Sequence, residues 1–357
     1  MNFEEILRHL VSVEGTDVHL KVGSLPRVRV GGVLEPAPFP EPTTESMDAL
    51  AAQLLDAAAL AALRADGSFD LVRSVAGLGR FRVNLYQQRG SVACAVRRVV
   101  PGIPTLEELE LPASVGKLAE AQRGLVVLAG PSGSGTTTTA AAVVDAINRS
   151  RSVHIATIEN PIEVLHADKE GIVSQREIGT DAPSMAEAVE HCLKQDPDVI
   201  FIGELPDADT VRAALAAAET GKLVIVVMRS TSSIETVDRL IQAFPLAEQR
   251  QARVTLSRNL FGIVSQRLLD RADGAGRVAA AEVFIGTAKS LACISDPERI
   301  DELPRVLEEG RYSGMQTFDQ GVLDLYRDGL ITIDEAMGVV LDEEEFRINI
   351  ERGGYGI

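Results

Sequence analysis

GLVVLAGPSGSGTTTTAAAVVDAIN, residues Gly124 to Asn148, passes from a short apolar run through a glycine-rich turn into a stretch with helical spacing. A strand feeding a helix through such a turn leaves backbone N–H groups and the positive end of the helix dipole facing one point, where a phosphate can be cradled. Gly130 and Gly135 stand at the spacing of the pattern G-x-x-x-x-G-K-[ST], so Gly130, Ser132, Gly133, Ser134, Gly135, Thr136, Thr137 and Thr138 are the candidate nucleotide-binding residues. Thr137 holds the hydroxyl position that ligates Mg²⁺, but Thr136 stands where the pattern has lysine. An ammonium about 4 Å from a phosphate charge is worth roughly 4 kcal/mol at an effective dielectric near 20, on the order of a thousandfold in affinity or rate. The alternative is a glycine turn that serves only strand–helix packing.

Working outward, VHIATI, DVIFIG and LVIVVM repeat the apolar texture of GLVVLA, as expected of parallel strands covered on both faces. Between them, Ser184 with Glu187, Asp207, and Ser232 with Glu235 mark helix starts, and Gly221 a helix end. Strand and helix in alternation predict a doubly wound α/β domain over residues 119–290. Upstream, Phe3, Ile6, Leu7, Leu10 and Val11 line one helix face, residues 17–34 alternate like short strands, and RFRVNLYQQRG and VACAVRRVV return to strand periodicity after an Ala- and Leu-rich helix around 45–65. Residues 1–100 therefore read as a small α+β domain. A linker over 101–118 is marked by Pro101 and Pro104, with Thr105 and Glu108 predicting a capped short helix. Residues 291–357 read as an acidic helical subdomain, with helices over Thr317–Arg327 and Thr332–Leu341.

The 357 residues are 45% hydrophobic and 24% charged, enough for a large core in more than one domain. A net charge of −17 argues against broad binding to nucleic acid or anionic lipid. Much of it lies at one end: from Asp296 onward there are 16 acidic and 6 basic residues. That run is either a solvated face or a surface for a basic partner. Cys94, Cys192 and Cys293 are too scattered for a disulfide framework or zinc knuckle, and no apolar run approaches membrane-spanning length. The expectation is a cytoplasmic protein with no direct membrane insertion and no nucleic-acid partner.

Several ordered segments resemble the type IV pilus retraction ATPases, the PilT-like branch of the secretion ATPase superfamily. They are EGTDVHLKVGSLPRVRVGG, RFRVN, TIENPIEVLH, SQREIG, DPDVIFIGELPD, AAETGKLVIVVMRSTSS, IVSQRLLDR with RVAAAEVFIGT, and SGMQTFDQ. The resemblance implies a PAS-like α+β N-terminal domain, a RecA-like P-loop NTPase domain, a small C-terminal helical appendage, and a hexameric ring that binds ATP or ADP with Mg²⁺ and drives pilus retraction. It implies Glu163 as the base that activates water and Glu204 as the acid that positions Mg²⁺ through water. Arg82 and Arg97 are implied as γ-phosphate contacts; the alternative for each is pairing with a nearby acid. Implied partners are copies of the chain or an active paralogue in the ring, and the platform protein of a pilus machine at the cytoplasmic face of the inner membrane.

The departures cluster at the chemistry. Besides Thr136, Asn160 stands where the family usually has Asp, Pro206 where it has Arg, and Lys222 and Arg229 where it has two histidines, while AKSLA at 288–292 replaces a family AIR motif. Lys222 and Arg229 are the cations available to neutralise a phosphate in place of the lost lysine; the alternative is a surface ion pair for each. Three functions follow: a ring subunit with reduced or lost hydrolysis and an accessory role, an active retraction motor with a substitute cation, or a secretion or DNA-transport ring ATPase.

Overall fold

The computed structural model describes residues 2–99 and 102–353. It divides into two compact units, Met1–Gly102 and Ile103–Ile357. Residue 100, the expected domain end, and Pro101, the expected start of the linker, lie outside the described residues.

The first unit is a six-stranded antiparallel sheet with helices. It runs α1 (Phe3–Ser12), β1 (Asp17–Lys21), β2 (Ser24–Val30), β3 (Val33–Pro36), α2 (Thr44–Leu54), α3 (Ala57–Asp66), β4 (Ser68–Val75), β5 (Gly79–Gln88) and β6 (Ser91–Val99), in the sheet order β3-β2-β1-β6-β5-β4. Asn2 caps α1 by accepting from the Glu4 N–H, and the helix buries Phe3, Ile6, Leu7 and Leu10, the face its spacing predicts. The helix expected around 45–65 is two helices: Leu55 leaves helical geometry and the Asp56 carboxylate caps α3 through the Ala59 N–H. A local cap outcompetes continuation there because it satisfies an N–H that a helix start would otherwise leave unpaired. Strand β4 lacks clean alternation and was not expected from sequence.

Period-2 geometry sorts β5 into a buried row, Phe81, Val83 and Leu85, and an opposite row that includes Arg82. Arg82 lies directly across from Arg97 on β6, and Arg97 across from Asp17 on β1, so the three share one face. Asp17 accepts from Arg97 Nε at 2.7 Å and from the Thr16 hydroxyl at 2.7 Å. Burial works to raise the pKa of Asp17, but these hydrogen bonds and the guanidinium charge outweigh it and hold the carboxyl below its ordinary value.

The second unit contains α4 (Ala113–Ala119), β7 (Gly124–Ala129), α5 (Thr136–Ser150), β8 (His154–Glu159), β9 (Ile172–Glu177), α6 (Met185–Cys192), β10 (Val199–Ile202), α7 (Ala208–Glu219), β11 (Leu223–Met228), α8 (Ser233–Gln242), α9 (Leu246–Asn259), β12 (Leu260–Asp270), β13 (Arg277–Ile285) and α10 (Ala288–Ser295). The helices α11 (Leu303–Glu309), α12 (Phe318–Arg327), α13 (Ile333–Met337) and α14 (Glu343–Gly353) complete it. Its seven strands are ordered β13-β12-β7-β11-β10-β8-β9, parallel except for β13. The four continuous apolar runs are β7, β8, β10 and β11, with α5 packed on one face and α6, α7 and α8 on the other.

Thr105 and Glu108 do form a reciprocal capping box, Thr105 N–H to Glu108 Oε2 at 2.8 Å and Glu108 N–H to Thr105 Oγ1 at 3.2 Å, but it closes a turn and helix α4 begins only at Ala113. Pro112 after the turn blocks its continuation as helix. Helix α12 packs against β13, and α13 and α14 pack on α12, in one apolar cluster that includes Phe318, Val322, Ala336 and Phe346. Glu343, Glu344 and Glu345 occupy the first turn of α14, where a helix dipole favours negative charge.

Candidate functional site

Four parallel strands end side by side, and the residues that follow them converge on one cavity of about 630 Å³. The loop after β7 contributes Gly130, Ser132, Gly133, Thr136 and Thr137; β8 ends on Glu159 and is followed by Asn160 and Glu163; β10 is followed by Gly203 and Glu204; β11 by Arg229. A crevice at the carboxyl ends of parallel strands is where an open α/β sheet accepts a ligand.

The glycine loop is held open from below. Gly133 and Gly135 have φ of +81° and +82°, a left-handed geometry that suits glycine. A Cβ at Gly130 would lie 2.3 Å from Ser134 Oγ and 2.7 Å from the Gln266 carbonyl oxygen, so the loop closes only with glycine there. Ser134 is buried, its N–H donating to the Pro131 carbonyl and its own carbonyl accepting from Gln266 Nε2 at 2.7 Å. Gln266 on β12 also accepts from the Thr139 hydroxyl at 2.9 Å, tying the loop to the first turns of α5. Among the described residues, the N–H groups of Gly133, Gly135, Thr136, Thr137 and Thr138 donate to no protein acceptor. That is the donor array of a helix N-terminus prepared for an anion. Gly135 and Thr138 border a second cavity, of about 480 Å³, on the β12 side of α5.

Glu163 and Glu204 line the main cavity together with the loop. Three residues that sequence reading did not single out hold Glu163 in place. Glu159 is buried, accepts from the Thr157 hydroxyl at 2.7 Å and Gln175 Nε2 at 3.2 Å, and takes the Glu163 N–H at 3.4 Å. Burial pushes its pKa up, against the pull of those hydrogen bonds. Glu177 accepts the Ile162 N–H at 3.0 Å, and Gln175 bonds the Val164 carbonyl and the His166 N–H. Both belong to the SQREIG segment, whose signal in the sequence was the segment itself and not a role for its side chains. Asn160, joined to Pro161 by a cis peptide, donates from Nδ2 to Glu204 Oε1 at 3.4 Å. An aspartate there would set a second negative charge beside Glu204; the amide replaces that repulsion with a hydrogen bond.

Burial holds the His166 imidazole down to about 4, with Asp145 raising it and Lys169 lowering it further. A histidine kept neutral in the fold but free to protonate when unfolded favours unfolding in acid. Its stabilising effect is complete near neutrality and is lost as pH falls from the ordinary histidine value toward the lowered one. Denaturant unfolding should therefore show a decrease of about 2 kcal/mol between pH 7 and pH 5 attributable to this group, and His166→Gln should flatten that slope.

The two substitute cations part company. Lys222 precedes β11, at the end of the strand away from the cavity, and lies 3.9 Å from Asp196. A strand of six residues puts its ends on opposite edges of the sheet, so one of the two candidate cations stands on the ligand side. Arg229 lies at the cavity, as does Arg239 of α8, which sequence reading missed and which is paired with Glu235 at 2.8 Å. Arg82 and Arg97 belong to the first unit, where Arg97 pairs with Asp17.

Mg²⁺ fits the donors present. Among the described residues no cluster of three acidic, histidine or cysteine side chains forms a cage. The Thr137 hydroxyl makes no hydrogen bond among the described residues and borders the same cavity as Glu204. Mg²⁺ is commonly held in this way, by one hydroxyl, a carboxylate through water, and substrate phosphates.

Comparison with known proteins places the chain in a family. The family described as Type II/IV secretion system protein matches residues 107–313. The type IV pilus ATPase PilU of Pseudomonas aeruginosa is 36% identical, covering 99% of this chain and 92% of PilU. The type IV pilus retraction ATPase PilT of the same organism is 34% identical, over 94% of this chain and 97% of PilT. A crystal structure of the pilus retraction motor PilT with bound ADP superimposes with a TM-score of 0.88 at 40% identity, covering 97% of this chain and 98% of that one. On the fold, the glycine-loop cavity and these matches, the chain belongs to the Type II/IV secretion system protein family, as a homologue of the PilT- and PilU-type pilus ATPases.

Proposed function

We propose that this chain is a subunit of a hexameric pilus-retraction ring that binds ATP or ADP with Mg²⁺, hydrolyses ATP slowly or not at all, and acts beside an active paralogue. One observation carries the reading: a cavity that keeps the loop N–H groups, Glu163 and Glu204 together while Thr136 replaces the lysine. In this reading the N–H groups of Gly133, Gly135, Thr136, Thr137 and Thr138 hold the phosphates, with Gly130 making room for the loop. Thr137 and Glu204 hold Mg²⁺, which supplies charge neutralisation of the phosphate oxygens. Glu163 accepts a proton from an attacking water, its own N–H held by Glu159 and that of the preceding Ile162 by Glu177. Arg82 and Arg97 would bring charge to the γ-phosphate, Arg97 by exchanging Asp17 for it.

The strand order β12-β7-β11-β10-β8 with the glycine loop after β7 supports a RecA-like core, and the antiparallel first unit supports a PAS-like one. No helix among the described residues is long and apolar enough to cross a membrane. In this reading the ring works at the cytoplasmic face of the inner membrane, held there by the platform protein of the pilus machine.

Steady-state turnover with ATP and Mg²⁺ tests the reading. The purified chain should release little phosphate, Glu163→Gln should remove whatever release there is, and adding the chain to an active paralogue should change that paralogue's rate. Turnover by the chain alone at an ordinary motor rate, on the order of 1 per second or more, would establish instead the active motor with a substitute cation, for which Arg229 at the cavity is the candidate.

A further inference from the structure

We infer that Arg229 is the phosphate-binding cation of this site, holding the nucleotide from the neighbouring strand in place of the lysine missing from the glycine loop. The inference rests on the nucleotide-binding reading above and deepens it.

Three observations single out Arg229. First, its place: β11 runs parallel to β7 with Met228 opposite Ala129, and the Gly130 N–H donates to the Met228 carbonyl at 3.2 Å. Arg229 is therefore the next residue after the one bonded to the first glycine of the loop, and it borders the cavity. Second, its charge is uncommitted: among the described residues Arg229 makes no ion pair or hydrogen bond, whereas Arg239 is engaged by Glu235 and Lys222 lies near Asp196. Third, its exposure: Arg229 is an exposed residue, so its side chain can turn toward a phosphate without leaving a buried position.

The chemistry suits the position. A lysine in the loop would be a point charge rising from the first turn of α5. A guanidinium coming from a strand end reaches the phosphates from the side and presents a planar fork to two oxygens at once. Thr136 leaves the glycine loop without a cation of its own at the cavity, and Arg229 supplies one from the end of β11. The device holds phosphate; it does not reproduce a cation placed at the loop itself, which accords with binding surviving where hydrolysis is reduced.

The test is a double-mutant cycle on the full-length chain, titrating a fluorescent ATP analogue with Mg²⁺. Arg229→Gln should weaken binding roughly 10- to 100-fold, the range of a lost charge-assisted contact, with an unchanged melting temperature. Arg229→Lys should retain most of the affinity. Lys222→Gln, at the far end of the strand, is the control and should bind as the unaltered chain does. Thr136→Lys in the Arg229→Gln background should restore affinity by a larger factor than Thr136→Lys alone gains. Unaltered affinity in Arg229→Gln, equal gains from Thr136→Lys in both backgrounds, or a larger loss from Arg239→Gln than from Arg229→Gln would each overturn the inference while leaving nucleotide binding intact. Absence of any binding by the unaltered chain would overturn the nucleotide reading itself, a distinct result.

Discussion

Thr136→Lys should tighten ATP binding by about tenfold or more. The full Coulomb value of an ammonium near a phosphate, roughly 4 kcal/mol at an effective dielectric of 20, sets the ceiling at about a thousandfold. Two features of the site bring the gain below that ceiling. The cavity is open to water, which screens the added charge, and Arg229 already borders it. The rest of the machinery is in place to receive a lysine: the backbone is left-handed at Gly133 and Gly135, and among the described residues the N–H groups of Thr136, Thr137 and Thr138 donate to no protein acceptor. Calorimetric titration of ATP into the two proteins measures the difference. A Thr136→Lys protein that binds no more tightly would mean that the altered positions Asn160 and Pro206, both at the cavity, had already removed a productive pose. Hydrolysis is a separate readout, since it also needs the water held by Glu163 in line with the phosphate.

Gln266→Leu should destabilise the second unit by about 2–4 kcal/mol and weaken nucleotide binding at the same time. Gln266 is buried on β12 and makes two bonds with nearly opposite ends of its amide, donating to the Ser134 carbonyl and accepting from the Thr139 hydroxyl. Leucine matches its volume but leaves a carbonyl and a hydroxyl unpaired in a buried place. The cost of such orphans exceeds the modest net value of the bonds when they are made. Because Ser134 sits in the glycine loop, the same change frees the loop to sample geometries that no longer aim its N–H groups at one point. Urea unfolding followed beside nucleotide titration reads both effects. Loss of stability with full nucleotide affinity would confine Gln266 to packing.

Much of the second unit is readable because buried parallel strands are apolar on both faces. GLVVLA, VHIATI, DVIFIG and LVIVVM need no alternation to be recognised, and each became a strand. Strand β9, IVSQRE, escaped for the converse reason: at the sheet edge its side chains are largely polar and half-exposed, and its place is set by pairing with β8. In the first unit β4 escaped in the same way, and one expected helix became two because the Asp56 cap, a local contest between equal propensities, went against continuity.

The site divides along a similar line. The glycine loop, the missing lysine and the two carboxylates are consecutive or strand-end features, and local sequence carries them: Thr136 follows Gly135, Glu204 ends an apolar run, Glu163 lies in a recognisable segment. The roles of Glu159, Gln175 and Glu177 in pinning Glu163 arise only when β9 pairs with β8, since side chains more than ten residues apart meet there by register. The choice between Lys222 and Arg229 is of the same kind. In the sequence they are two basic residues flanking one apolar strand, equivalent in chemistry. The direction of β11, fixed by its parallel pairing with β7 and β10, sends one to the cavity and the other to the opposite edge of the sheet. Sequence by itself determined which chemical groups this protein has kept and which it has lost, because composition and spacing are local. Only the tertiary structure decided which remaining charge stands beside the glycine loop, because that depends on strand direction and register, which bring together residues about a hundred positions apart.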